Sequence, residues 1–154
     1  MDKNCKEYLD TIEIGRILAK KEYILHNGGY GGVMEASAKG IKEENGKSYG
    51  FTCQSFGYTT ANKYITETVI CLDVFERLKY MINGIDVFII QVGGIGTLSE
   101  LFLTLDEIRK LKNPPKVYLI GDHWNWIFSN PLIPQTCKDL LTIIIDINQL
   151  ELLL

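Results

Sequence analysis

The chain has 154 residues, of which 46% are hydrophobic and 23% charged, and this composition excludes an intrinsically disordered protein. Its formal net charge of −3 argues against binding to nucleic acid through clustered Lys and Arg. The sequence contains neither the apolar core of a signal peptide nor a run of about 18 apolar residues that could span a membrane. We therefore expect a soluble, cytoplasmic protein.

Hydrophobic periodicity divides the chain into alternating helices and strands. Apolar residues at three- and four-residue spacing predict helices, whereas short apolar runs that end at glycine or a turn predict buried strands. The strand runs do not alternate with polar residues, which is typical of a parallel sheet covered by helices. The predicted fold class is α/β, a Rossmann-like doubly wound parallel sheet with helices on both faces. The predicted helices are 5–21, 31–44, 74–83, 97–111 and 148–154, and the predicted strands are 23–26, 48–53, 66–72, 86–92, 116–120 and 142–147.

No two cysteines of the sequence form a C-x-x-C pair, and only two histidines are present that could complete a metal site. We therefore expect reduced, mostly buried thiols and no metal. The cysteines are Cys5, Cys53, Cys71 and Cys137.

Two glycine clusters each follow a predicted strand and precede a predicted helix: residues 28–32 (GGYGG) and 93–97 (GGIGT). Ligands of parallel α/β sheets bind beyond the carboxyl ends of strands, where a helix N-terminus offers unpaired N–H groups. Both clusters are therefore candidate phosphate cradles, although tight turns also use glycine without any ligand. Neither cluster matches G-x-G-x-x-G or G-x-x-x-x-G-K-[ST], which argues against NAD binding and against a P-loop NTPase.

Several side chains have two interpretations. Thr97 and Glu100 match a capping box, and Glu100 is also a candidate catalytic carboxylate. Trp124 and Trp126 are expected to pack against the sheet, with an aromatic ligand shelf as the alternative. Taken alone, some charged residues are predicted to lie on the surface: Arg77, Asp86, Asp106 and Glu107.

The glycine clusters resemble two motifs of the LOG (lonely guy) family, formerly labelled "possible lysine decarboxylase". Residues 93–100 resemble P-G-G-x-G-T-x-x-E, and residues 28–35 resemble G-G-x-x-G-[LV]-M-[GE]. Arg77 falls where that family has Arg-Lys. The resemblance covers most of the chain and implies a single LOG-like nucleotide-binding domain over residues 1–154. Similar folds also serve as molybdenum-cofactor carriers and nucleotide sensors.

The resemblance implies a hydrolase that cleaves the N-glycosidic bond of a nucleoside 5′-monophosphate. AMP or a cytokinin-type N6-modified AMP would yield the free base and ribose 5-phosphate. Arg77 and Glu100 would be catalytic, no cofactor would be needed, and the protein would be a homodimer that binds neither nucleic acid nor membrane. The residues implied to bind phosphate are Gly93, Gly94, Gly96 and Thr97, with Gly28, Gly29 and Gly32 lining the same crevice.

Three departures from the family pattern leave a second interpretation open. Val92 replaces the proline of the motif, and Leu78 replaces the lysine beside Arg77. The usual first strand, with its Gly-Ser loop, has no counterpart before the first predicted helix. The alternative is a non-catalytic carrier or sensor that binds a nucleotide or the molybdenum cofactor. Lysine decarboxylation is not expected, because no pyridoxal-phosphate lysine site is recognisable.

Overall fold

All strands of the protein pair in parallel, in a computed structural model that describes residues 1–154. The chain divides into two units, residues 1–83 with Leu154 and residues 84–153. Each unit contains one three-stranded sheet. The predicted parallel α/β class is confirmed, with the strands hydrogen-bonded as two separate sets of three.

The first unit has strand order β1-β2-β3. In register, Leu25 lies opposite Ser48 and Cys53 lies opposite Cys71. A short 3₁₀ turn, Gln54–Phe56, follows β2 directly. The elements in chain order are α1 Lys6–Lys20, β1 Leu25–Asn27, α2 Val33–Glu43, β2 Ser48–Cys53, β3 Glu67–Cys71 and α3 Val74–Ile82.

Helices α1 and α2 pack closely because glycine lies at their contact. A Cβ added to Gly15 would overlap the carbonyl oxygen of Ser37, and one added to Gly40 would overlap that of Ile12. Absence of a side chain lets the two backbones approach each other. Beside this contact Tyr8 and Ala36 form a buried cluster with Ile12.

The second unit has strand order β4-β5-β6. Its core consists of apolar side chains from the strands, from α4 and from α7. The strands contribute because they are mostly apolar, as in sheets covered by helices. The most buried of the core side chains are Leu101, Leu105, Val117, Leu119, Ile144 and Leu150. The elements are β4 Val87–Ile90, α4 Ile95–Ile108, β5 Lys116–Ile120, α5 Trp124–Phe128, α6 Gln135–Lys138, β6 Leu141–Ile144 and α7 Asn148–Leu153.

The observed elements differ from the predicted ones at the ends of several helices and strands; β6, for example, ends at Ile144 and not at Ile147. Helix α4 begins at Ile95, two residues before the predicted start at Thr97, and neither α5 nor α6 was predicted as a helix. None of the helices combines the length and the hydropathy that a membrane span requires.

All four cysteines are free thiols, but they differ in burial. Cys53 and Cys71 are buried, whereas Cys5 and Cys137 are partly exposed. Burial raises the pKa of the Cys71 thiol, and the nearby Glu76 carboxylate adds to this effect.

Labelling of the native protein with an aromatic disulfide reagent at pH 8 should therefore modify Cys5 and Cys137 quickly. Cys53 and Cys71 should react only after unfolding, since a thiolate must form and be reached before it attacks. Peptide mass spectrometry of partly labelled samples measures each site. Fast labelling in a Cys5→Ser/Cys137→Ser variant would contradict the observed burial.

Candidate functional site

The first glycine cluster is held in place by two asparagines. Asn27 accepts a hydrogen bond from the N–H of Gly29 (2.8 Å) and donates Nδ2 to the carbonyl of Met34 (2.9 Å). Asn62 donates its backbone N–H to the carbonyl of Gly29 (2.8 Å) and its Nδ2 to that of Tyr30 (2.8 Å). The Gly29 N–H is thus already bonded within the protein, so Gly29 can line a ligand site but contributes no free donor.

Two glycines of this cluster have backbone conformations that other residues rarely adopt. Gly29 has φ +78° and Gly32 has φ +66°. Gly32 is also the N-cap of α2, and no side chain caps that helix. Glu35, at the end of the same motif, forms an ion pair with Lys3 at 2.7 Å. The chain therefore needs these glycines for the turn itself.

Arg77 lies against the first glycine cluster. Its side chain is buried, with 6% exposure, and its Nε donates to the carbonyl of Phe51 at 2.7 Å. A Cβ added to Gly28 would overlap Nη2 of Arg77 and lie 2.7 Å from Sδ of Met34. The structure thus brings together Gly28 and Arg77, two of the predicted site residues.

The prediction that Arg77 lies on the surface is wrong, and the reason is the packing of α3 on β2. Tyr80 stacks on Phe51 with ring centroids 5.6 Å apart. Arg77 precedes Tyr80 by three residues, so both project from the same face of the helix. That face points at β2, where Phe51 supplies both a ring and a carbonyl oxygen.

The second glycine cluster forms the start of α4. Gly94 is the N-cap, no side chain caps the helix, and no acidic residue lies in its first turn. A Cβ added to Gly94 or Gly96 would meet nothing within 4 Å. By contrast, α3 is capped by Asp73, whose side chain accepts from the N–H of Glu76 at 2.9 Å. The start of α4 therefore combines unpaired N–H groups with open space above them.

Thr97 is not the N-cap of α4, so the predicted capping box with Glu100 is wrong. The helix already begins at Ile95, because Gly94 adopts the extended conformation of an N-cap. Thr97 instead lies in the first turn, and its side chain fills the space over Gly93, where an added Cβ would overlap Oγ1 of Thr97.

Glu100 is partly buried on the second turn of α4. It follows Gly96 by four residues and Thr97 by three, so all three share one face of the helix. This part of the second unit therefore combines a carboxylate with a group of backbone donors.

The acidic residues farther along α4 are surface charges, as predicted. Asp106 accepts hydrogen bonds from Arg109 (2.6 Å) and Lys110 (3.1 Å). Arg109 first and Lys110 second hold the pKa of Asp106 below its ordinary value. Glu107 accepts from Lys110 at 2.9 Å. Asp86 is exposed as well.

The two tryptophans of the second unit behave differently. Trp124 is buried and donates Nε1 to the carbonyl of Ile120 at 3.2 Å, as expected for a core residue. Trp126 is 83% exposed, so the expectation that it packs against the sheet is wrong. The two lie on opposite sides of the short helix α5, and only one side can face the sheet. The structure also contains no group of three or more His, Cys, Asp or Glu side chains that could hold a metal ion.

Sequence reasoning missed Asn27, Asn62 and Tyr30. The available signal for Asn27 was its place directly before a Gly-Gly turn, where Asn commonly bonds a backbone N–H two residues on. Asn62 gave no local signal, since its partners lie 32 and 33 residues away.

The solved structures that resemble this chain share its fold. The molybdenum cofactor binding protein from the phototrophic bacterium Rippkaea orientalis has a TM-score of 0.76 and is 22% identical, over 99% of this chain and 89% of that chain. The molybdenum cofactor carrier protein from Chlamydomonas reinhardtii has a TM-score of 0.69 and is 18% identical, over 99% and 92%. These likenesses show the fold alone, and they confirm the Rossmann-like α/β class.

Sequence comparison goes further. An uncharacterized protein from Archaeoglobus fulgidus is 32% identical in an alignment of 119 positions that covers 71% of this chain and 73% of that protein. The model of the SLOG cluster4 family matches residues 2–114, a range that contains both glycine clusters, Arg77 and Glu100. The LOG-like resemblance of the motifs is thereby confirmed, and the chain belongs to the SLOG cluster4 family.

Proposed function

We propose that this protein is a nucleoside 5′-monophosphate phosphoribohydrolase, which releases the free base from AMP or an N6-modified AMP. The observation that carries the proposal is the open, uncapped start of α4, with Glu100 on the same helix face. A nucleoside 5′-monophosphate carries a phosphate at one end of its ribose and the scissile bond at the other. The start of α4 would bind the phosphate, and Glu100, about one helical turn away, would lie near the scissile bond.

The start of α4 would bind the 5′-phosphate. The first N–H groups of a helix have no acceptor within it, and the helix dipole adds a partial positive charge there. Gly94 and Gly96 leave the space above these donors open, and Thr97 adds a hydroxyl to the same turn. Phosphate binding far from the scissile bond would supply the energy that positions the ribose.

Glu100 would stabilise the positive charge that develops on the ribose as the bond to the base breaks. Water adds its oxygen to C1′ of the ribose, while the base leaves with the electron pair of the C1′–N bond and a proton. Arg77, buried beside Gly28, would orient the nucleotide or favour departure of the base.

Product analysis tests this function. The purified protein is incubated with AMP and with N6-isopentenyl AMP, and the products are separated by chromatography. Equal amounts of free base and ribose 5-phosphate are expected from at least one of the two nucleotides. Unchanged nucleotide after prolonged incubation, with protein that remains folded, would rule the hydrolase out.

Gly96→Ala separates ligand binding at α4 from folding. The added methyl group meets nothing within 4 Å in the protein, and alanine in a helix is more favourable than glycine by about 0.5–1 kcal/mol. We expect the melting temperature to stay equal or to rise, while the affinity for AMP falls by about tenfold or more, because the methyl group occupies the phosphate site.

Gly31→Ala is the matched control, since a Cβ there also meets nothing within 4 Å. Gly31 lies outside α4 and is not among the residues that the family resemblance implies to bind the ligand. Calorimetric titration and thermal melts of both variants give the two readouts. Wild-type affinity in Gly96→Ala would show that the phosphate does not bind at α4.

A non-catalytic binding function is the second candidate, as a carrier or sensor of a nucleotide or the molybdenum cofactor. Two residues that depart from the LOG family motifs, Val92 and Leu78, favour this function. It is also favoured by two similar structures that are named as molybdenum cofactor binding and carrier proteins. A ligand-dependent rise in melting temperature without turnover would support this function. Steady release of base would exclude it.

A further inference from the structure

We infer that Tyr30, Phe56 and Tyr58 form an aromatic wall that stacks the planar heterocycle of a phosphorylated ligand. All three residues belong to the first unit, and none of them was among the predicted site residues. The inference deepens the proposed function and rests on it only for the class of ligand, a purine nucleoside 5′-monophosphate.

The aromatic wall leaves ring surface open to solvent. Its ring centroids are 6.3 Å apart for Tyr30 and Phe56, and 6.0 Å apart for Tyr30 and Tyr58. Phe56 is 51% exposed and Tyr58 is 59% exposed. Clustered rings that stay half-exposed leave apolar area uncovered in the ligand-free protein, and a stacked heterocycle would cover it.

Hydrogen bonds hold the aromatic wall in place. The hydroxyl of Tyr30 donates to the carbonyl of Tyr58 (2.8 Å) and accepts from the N–H of Cys53 (2.9 Å). Asn62 bonds the backbone carbonyl of Tyr30, and an isolated antiparallel bridge joins Cys53 to Tyr58 across the turn that carries Phe56. A surface ordered before binding loses little conformational entropy when the ligand arrives.

A positive charge lies next to the aromatic wall. The Cζ atom of Arg77 is 5.8 Å from the ring centroid of Tyr30 and 5.6 Å from that of Phe56. The same guanidinium lies over Gly28 in the glycine cluster that also contains Tyr30. A planar heterocycle in a ligand of net negative charge fits both features, since the rings stack the heterocycle and the nearby cation favours an anionic ligand over a neutral one. An uncharged ring or a sugar phosphate without a base satisfies only one of them.

The test uses a ligand that cannot be hydrolysed, so that binding is measured apart from turnover. The carbocyclic analogue of AMP lacks a glycosidic bond but keeps the adenine and the phosphate, and ribose 5-phosphate lacks the adenine. Affinities are measured by calorimetry, and adenine H2 and H8 shifts by NMR. We expect the analogue to bind about ten- to a hundredfold more tightly than ribose 5-phosphate, with both protons shifted upfield by ring stacking.

Phe56→Leu and Tyr58→Leu each remove a ring while keeping an apolar side chain. Each should reduce the affinity for the analogue by about fivefold or more and weaken the upfield shifts, without changing the affinity for ribose 5-phosphate. Phe75→Leu is the matched control, because Phe75 is a 78% exposed aromatic residue of the same unit outside the wall, and it should change neither affinity. Thermal melts confirm folding, and either wall variant suffices if the other fails to fold.

The outcomes separate this inference from the proposed hydrolase. Wall-dependent binding of the analogue without any hydrolysis of AMP would support the aromatic wall and reject the hydrolase. Hydrolysis of AMP, together with unchanged affinity of both wall variants for the analogue, would support the hydrolase and reject the aromatic wall. The aromatic wall is also rejected if the analogue binds no better than ribose 5-phosphate, if neither binds, or if the variants alter only self-association.

Discussion

Glu100→Gln is expected to lower kcat for base release from AMP by about 10²–10³-fold, the loss that follows removal of one group that stabilises transition-state charge. Glutamine has nearly the same size and keeps one acceptor oxygen, but it carries no negative charge to oppose the charge on the ribose. Ground-state binding of AMP should change little, because the proposed phosphate donors at the start of α4 are untouched. Single-turnover product analysis and calorimetry measure the two quantities separately.

Glu107→Gln is the matched control for this substitution. It makes the same chemical change on the same helix, at an exposed carboxylate that is hydrogen-bonded to Lys110. We expect wild-type kcat in the control. Wild-type kcat in Glu100→Gln would instead remove this residue from the mechanism, even if the protein hydrolyses AMP.

Gly28→Ala is expected to lower the free energy of unfolding by about 1–3 kcal/mol, the usual cost of overpacking a buried site. The new Cβ would overlap Nη2 of Arg77 and lie 2.7 Å from Sδ of Met34. Arg77 cannot turn away freely, because it is buried and its Nε is bonded to Phe51. Displacement of the guanidinium should also weaken AMP binding and lower any turnover.

Gly31→Ala again serves as the control, since its Cβ meets nothing within 4 Å, and it should change stability by no more than about 0.5 kcal/mol. Denaturant unfolding of both variants measures the difference. In an Arg77→Met background the Gly28→Ala change should cost less than in the wild type, because the two positions are in contact. Equal costs in the two backgrounds would mean that Arg77 does not constrain Gly28.

Strands were the elements that local sequence predicted best. The predicted bounds of β2, Ser48–Cys53, and β5, Lys116–Ile120, agree with the structure. Both are short segments rich in aromatic, apolar and β-branched residues, and Gln54 or Gly121 follows directly, so the boundary is visible in the sequence itself. The start of α4 was predicted too late, because Gly96 suggested a turn where the structure has helix.

The side chains around the first glycine cluster show where local reasoning fails. A single arginine on a helix indicates a solvated charge, yet Arg77 is buried because the carbonyl of Phe51, 26 residues earlier, accepts from its Nε. The Gly29 N–H is not available to a ligand, because the side chain of Asn27 accepts its hydrogen bond. That bond depends on the rotamer of Asn27, which cannot be read from the sequence pattern.

The sequence by itself determined the parallel α/β class, the two glycine turns and the family, because periodicity, turn residues and motifs are local properties of a chain. Only the tertiary structure decided that Arg77 is buried over Gly28, that the start of α4 is open and uncapped, and that Tyr30, Phe56 and Tyr58 form one surface. The physical reason is that burial and hydrogen-bond partners are set by groups distant along the chain, which the packing of helices on strands brings into contact.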